Sequence, residues 1–197
     1  VYPYRFNATA ATMLFLKTSD GALTDPVVRR ALVLATDKQS IRSALAEDLR
    51  LVHQPFLVGQ PGYAKEFDQP RYNPSAAVAA LEQAGWLKGK NDIREKNKVP
   101  LQIIVVAEET PDNQLILRKI KEQWKAIGVD MQAGIQQTTD FQSSVETHAY
   151  SALLYTISIG PDPDVYAYWR STQADTRRST RLYFPEYTST AADLAMA

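Results

Sequence analysis

The sequence predicts an α/β fold: a mixed sheet that contains a right-handed parallel βαβ unit and is flanked by helices. Three observations predict it. Leu101-Gln102-Ile103-Ile104-Val105-Val106 is a mostly apolar run of strand length. Ile116, Leu117, Ile120, Trp124 and Ile127 then recur at helical spacing and stop at Gly128. Finally Val129, Met131, Ala133 and Ile135 alternate with Asp130, Gln132 and Gly134, the pattern of a strand covered on one face. A strand, a helix and a strand with short joins pair in parallel through a crossover, whose hand is right in nearly all proteins.

The remaining elements follow in chain order. Met13-Leu14-Phe15-Leu16 is a short apolar run and reads as a strand. Asp25 caps a helix that opens on Pro26, where a missing N–H costs nothing. Val27, Val28, Ala31, Leu32, Leu34 and Ala35 fall within an arc of ~160° on it, with Arg29 and Arg30 outside. Asp37 caps a second helix at Lys38, making a helical corner. Residues 50–73 carry Pro55, Gly59, Pro61, Gly62 and Pro70 and read as a long irregular connection.

Asn73-Pro74 opens the next helix, whose small-residue face (Ala76, Ala77, Ala80, Leu81, Ala84) suits close approach to a sheet. Gly85 ends it in a left-handed cap. Residues 88–99 are polar and read as a surface excursion. The strand from Leu101 is expected to be buried on both faces. A helix over about 139–147 and a strand near Ala152–Ile157 follow. Then come a capped turn at Gly160-Pro161-Asp162-Pro163-Asp164 and an aromatic helix carrying Val165, Tyr166, Tyr168 and Trp169.

Composition removes several functions. Lys+Arg and Asp+Glu are 22 each, so a broad nucleic-acid surface or a polybasic membrane patch is disfavoured. Arg177-Arg178-Ser179-Thr180-Arg181 reads as a solvated loop before it reads as an anion site. The chain has no cysteine, which excludes disulfides, thiolate metal sites and cysteine nucleophiles together. No apolar stretch approaches the ~20 residues of a membrane span. Val1-Tyr2-Pro3-Tyr4-Arg5 is neither a signal peptide nor a start with Met, and the last seven residues read as a helix just beginning. The chain is therefore expected to be an internal piece of a longer protein.

No residue set announces catalysis. His53 and His148 are the only histidines, each without the spacing that puts two metal ligands on one helix face, and each reads as an ordinary surface or loop residue. There is no Gly-x-Ser-x-Gly elbow, phosphate-binding glycine loop or dinucleotide fingerprint. Asp162 and Asp164 fit a helix cap better than a calcium loop. Glu108-Glu109 follow the first buried strand at its carboxyl end, where open α/β sheets tend to place ligands. As a pair they suit acid–base work, a cation or sugar hydroxyls, or they are simply solvated.

Five blocks in order resemble the extracytoplasmic solute-binding proteins of ABC transporters, in the large peptide/nickel branch that includes oligopeptide- and dipeptide-binding members. They are Asp25-x-x-Val28-Arg29-Arg30-Ala31-Leu32-x-x-Ala35-x-Asp37-Lys38; Tyr72-Asn73-Pro74-x-x-Ala77-x-x-x-Leu81-x-x-Ala84-Gly85-Trp86; Asp92 to Leu101; Ile120 to Val129; and Asp162-Pro163-Asp164. Each alone carries little, but together they cover nearly the whole chain.

The resemblance implies two lobes that close on a ligand, plus an accessory domain. Residues 1–197 would be the second lobe only, with the first lobe and the C-terminal return segment absent. It implies no catalysis and no cofactor. It also implies a periplasmic or extracytoplasmic location, with a lipid anchor left open. A peptide or similar small solute would be captured between the lobes and passed to the ABC permease. Peptide binders in the family hold the peptide amino group with an Asp that falls here among Ser158, Ile159 and Gly160, and a Trp three residues earlier is here Thr156. The Arg that dipeptide binders place after the first buried strand is missing from Ala107-Glu108-Glu109-Thr110. Losing a charge-assisted contact costs ~1.5–3 kcal/mol, so a dipeptide is disfavoured. Longer peptides held by their backbone, or uncharged sugars, stay open.

The expected cleft face is Glu108, Glu109, Tyr155, Thr156, Ser158 and Ile159. Glu109 and Ser158 would supply polar contacts, and Tyr155 would stack on or cover the ligand. A hydrolase using paired carboxylates and a peptide-sensing receptor are the alternatives.

Overall fold

A computed structural model of the protein describes residues 10–45, 49–60, 62–158, 170–173 and 183–195. The expected turn at Asp162-Pro163, the aromatic helix after it and the basic run at 177–181 lie outside the described residues.

A four-stranded mixed sheet forms the centre. Its strands are β1 (Ala10–Leu16), β5 (Gln102–Glu108), β6 (Asp130–Gln136) and β7 (Ala152–Ser158), in the order β1-β7-β5-β6. β5 pairs in parallel with β6, from Gln102 opposite Asp130 to Glu108 opposite Gln136. It also pairs in parallel with β7, from Val105 opposite Ala152 to Ala107 opposite Leu154. β1 runs antiparallel to β7, with Ala10 opposite Ser158. The carboxyl ends of β5, β6 and β7 therefore share one edge of the sheet with the start of β1.

The two faces carry different cores, as strand alternation demands. Ile103, Val105, Ala107, Ala152 and Leu154 pack with α1 (Pro26–Ala35), α3 (Pro74–Gln83) and α4 (Pro111–Ala126). Val106, Leu153, Ile157 and Phe15 pack on the other face with Phe141 of α5 (Thr138–Thr147), Tyr150 and Phe184. β5 alternates at its start, with Ile104 44% exposed, and is buried on both faces only over Val105–Ala107. Ile104 is exposed because its face is not covered until Val106 meets the cluster around Phe141.

Helix punctuation follows the sequence. Asp25 accepts from the N–H of Val27, and Asp37 from Ser40 at the start of α2 (Lys38–Ala44). Asn73 accepts from Ala76 ahead of α3, and Gly85 stands at φ 84 beyond it. The small-residue face of α3 has α1, rather than the sheet, as its principal neighbour, so Ala77 and Leu81 let two helices approach closely.

The surface excursion is ordered β structure. β2 (Leu87–Lys88), β3 (Arg94–Lys96) and β4 (Val99–Pro100) form a small antiparallel sheet. Asn97 and Lys98 close its hairpin in left-handed backbone (φ 53 and 65), the two-residue turn that suits strand twist. Arg94 inside it is 2% exposed. Its guanidinium donates to the carbonyls of Ile127 and Trp86 at 2.8 Å each and to Glu82 Oε1 at 3.0 Å. Both carbonyls lie just past helix ends, where unpaired acceptors and the negative end of the helix dipole favour a cation. One buried arginine thus staples the excursion to α3 and α4. A short helix α6 (Thr190–Ala195) closes the described chain.

Candidate functional site

The edge formed by the carboxyl ends of β5, β6 and β7 is built from backbone upward. The N–H of Glu109 extends the β5–β6 ladder by donating to the carbonyl of Gln136 at 2.7 Å. Thr110 then caps α4, its hydroxyl accepting from the N–H of Asn113 at 3.1 Å. The Asn113 side chain donates back to the Glu108 carbonyl at 3.0 Å. The strand-to-helix turn is closed on itself, which fixes where the two carboxylates start.

The first turn of α5 aims them. Thr138 Oγ1 donates to Glu108 Oε1 at 2.7 Å, and Gln137 Nε2 donates to Glu109 Oε2. Glu108 is half-buried and Glu109 exposed. Beside them, the side-chain oxygen of Gln136 is buried with no hydrogen-bond partner among the described residues.

β7 supplies the rest. One residue past the last β5–β7 register pair, Tyr155 stands level with Glu108 on the α5 face. Its ring stacks on Phe141 with centroids 5.9 Å apart and an interplanar angle of 23°, and meets Phe184 at 5.0 Å. Thr156 and Ser158 are exposed on the opposite face, and Thr156 shares a 2.8 Å hydroxyl–hydroxyl bond with Thr12 of β1. Of the expected cleft residues, Glu108, Glu109 and Tyr155 therefore meet at α5, and Thr156 and Ser158 face the other way at the same edge. Ile159 lies outside the described residues.

A second polar cluster lies at the far end of α5, about 15 Å along the helix axis from Thr138. His148 is not a surface residue: its side chain is 1% exposed, and Nδ1 meets Glu186 Oε1 at 2.8 Å. It is buried because it takes the left-handed position after α5 (φ 53), which turns its ring inward under Tyr150. Lys17 Nζ stands 3.5 Å from Glu186 Oε1 and donates to the His148 carbonyl at 3.0 Å. Ser19 donates to Glu186 Oε2. Burial pushes the Glu186 carboxyl up, but the bonds from Ser19 and His148 and the charge of Lys17 together hold it below its ordinary range. Burial, and then the Glu186 charge, push the Tyr150 hydroxyl up. Sequence spacing gave no signal for this cluster, since its members come from three separate segments.

A cavity of about 570 Å³ sits between Ala22, Asp25, Trp86, Lys96 and Pro100. Gln102 lines it, so it lies at the opposite end of β5 from Glu108, about 20 Å along the strand. Among the described residues no group of three or more His, Cys, Asp or Glu is placed to hold a metal ion.

Comparison with known proteins adds identity to this geometry. Residues 1–177 match the family described as bacterial extracellular solute-binding proteins, family 5 Middle. The nickel-binding periplasmic protein of Escherichia coli strain K12 is 38% identical over 93 residues, which are 46% of this chain and 18% of that protein. The fold is shared with the oligopeptide-binding protein AppA from Bacillus subtilis, solved in complex with a nonapeptide. The TM-score is 0.85 at 23% identity, covering 96% of this chain and 38% of that one. It is shared equally with NikZ from Campylobacter jejuni in complex with Ni(L-His), with a TM-score of 0.85 at 24% identity, covering 98% of this chain and 39% of that one. The chain thus spans less than half the length of these relatives.

Proposed function

The chain belongs to the bacterial extracellular solute-binding proteins of family 5, and on that premise we propose that it is one ligand-binding lobe of the solute-binding component of an ABC transporter. The whole protein captures a peptide or similar small solute between this lobe and a second one, and delivers it to the membrane permease. It works outside the cytoplasm, in the periplasm or its equivalent, and binds without chemical turnover. No helix among the described residues is long and apolar enough to cross a membrane.

The observation that carries this reading, beyond the family, is the construction of the sheet's carboxyl edge. Glu108 and Glu109 are oriented by Thr138 and Gln137, while Thr156 and Ser158 stay exposed on the other face of the same edge. Such an edge offers fixed polar groups to a bound molecule. Among the described residues neither carboxylate is joined there to a histidine or lysine that could share a proton with it, and His148 is at the other end of α5. Binding is favoured over hydrolysis on that ground.

Native mass spectrometry of the full-length protein tests the proposal, since the mass of a co-purified solute separates a peptide from a metal chelate. Replacing Glu108, Glu109, Tyr155 and Ser158 together by Ala is expected to abolish its retention. Unchanged retention in that variant overturns the assignment of the site.

A further inference from the structure

We infer that Glu186 is a positioning residue for Tyr155: through Phe184 it sets the ring that walls the α5 side of the sheet's carboxyl edge. The functional consequence rests on the transport reading above; the structural claim does not.

Tyr155 is held by two aromatic neighbours of different kinds. Phe141 is carried by α5, which packs on the sheet, and is 5% exposed. Phe184 lies in a segment that belongs to no helix or strand, yet it is fully buried. It meets Phe15 edge-on at 5.1 Å and Tyr155 at 5.0 Å. A core ring on an irregular segment needs anchors of another sort, and most of those described converge on Glu186.

The segment turns back at Glu186, whose N–H donates to the Tyr183 carbonyl at 3.3 Å. The turn puts Glu186 in left-handed backbone (φ 46), a conformation that a non-glycine residue does not favour by itself. The side chain offsets this: its carboxylate gathers Ser19, His148 and Lys17, while its carbonyl accepts from Thr18 Oγ1 at 3.0 Å. Thr18 N–H also donates to the Pro185 carbonyl at 2.7 Å, and Tyr150 OH to the Phe184 carbonyl at 3.3 Å. Among the described residues, the carboxylate is the single group that reaches both the end of β1, at Lys17 and Ser19, and the end of α5, at His148. Without it, the turn keeps its bonds to Thr18 and Tyr150 but loses the group that joins those two anchor points, and with it the fixed aim of Phe184 at Tyr155.

The test uses the full-length protein with ring-labelled tyrosine and carbon-detected NMR, the Tyr155 signal being identified by its loss in Tyr155→Phe. In Glu186→Ala the Tyr155 ring signal is expected to move in the direction seen in Phe184→Leu, because both withdraw the Phe184 ring. The exposed Tyr72 signal stays in place. Glu186→Gln, which keeps the volume and removes the charge, is expected to move it the same way by less, and it carries the test if the Ala variant does not fold. A Tyr155 signal unmoved in every folded Glu186 variant, while Phe184→Leu shifts it, overturns the inference.

Capture of a mixture of three- to five-residue peptides supplies the second readout. Tyr155→Ala and Glu186→Ala are each expected to weaken it about threefold to tenfold, and the double variant no further than Tyr155→Ala alone. Additive losses overturn the positioning role. If the wild-type protein captures no peptide, a peptide as its solute is ruled out and the ring spectra alone decide the role of Glu186.

Discussion

His148 Nδ1 and Glu186 Oε1 stand 2.8 Å apart across 38 residues of chain, joining the end of α5 to the segment that carries Phe184. Lys17 and Tyr150 face the same carboxylate. Burial raises the Glu186 carboxyl, but the bonds from Ser19 and His148 and the charge of Lys17 hold it below its ordinary range. A carboxyl depressed in the folded state stabilises the fold above its unfolded pKa, and that contribution is lost as pH falls through the lower folded value. Urea midpoints are expected to be flat on this account down to about pH 4.5 and to fall below it. Glu186→Gln removes that part of the acid dependence and costs about 1–3 kcal/mol at pH 7.

Arg94 is expected to matter through carbonyls more than through its ion pair. Glu82 is 51% exposed, so Glu82→Gln costs less than about 1 kcal/mol. Arg94→Ala leaves the Trp86 and Ile127 carbonyls without their donor and costs about 3–5 kcal/mol. Arg94→Lys recovers less than half of that, because an ammonium cannot reproduce the fork. Urea unfolding of the three variants measures all of these.

Gly128 is expected to be irreplaceable for a steric reason. At φ 86, a Cβ there would stand 2.7 Å from Arg94 Cγ and 3.0 Å from the Asp92 carbonyl oxygen. Gly128→Ala should cost about 2–4 kcal/mol, the sum of left-handed strain and overpacking. Gly21 is the control: it also has a positive φ of 45, but nothing among the described residues lies within 4 Å of its Cβ position. Gly21→Ala should cost no more than about 1–2 kcal/mol in thermal or urea melts.

Thr110 links stability to the candidate site. Thr110→Ala removes the α4 cap and should cost about 1 kcal/mol. The same change frees the turn that sets Glu108 and Glu109, so retention of the co-purified solute should fall as well. Asp25→Ala removes a comparable cap on α1, away from that edge, and should lower stability with solute retention intact.

Much of the fold was legible because it is written in local rules. Asp25-Pro26 and Asn73-Pro74 start helices by caps a few residues long, and β5–α4–β6 follows from hydrophobic period alone. The site was legible only in part. Glu108 and Glu109 could be placed at a strand end, but the donors that aim them, Thr138 and Gln137, come from a helix whose start the pattern left vague. The faces of Tyr155 and Thr156 depend on register, and a strand buried on both sides does not declare its register in sequence.

The sequence by itself determined the order of the main elements, the caps at Asp25, Asp37 and Asn73 and, through ordered blocks, the family. Each of those signals is local or depends only on order along the chain, so it survives without knowledge of the packing. Tertiary structure alone decided that His148 is buried on Glu186, that Arg94 staples the polar excursion to two helix ends, and that Tyr155 is clamped by Phe184. Each of these rests on groups brought together from distant segments, where burial makes a partner obligatory but does not say which residue supplies it.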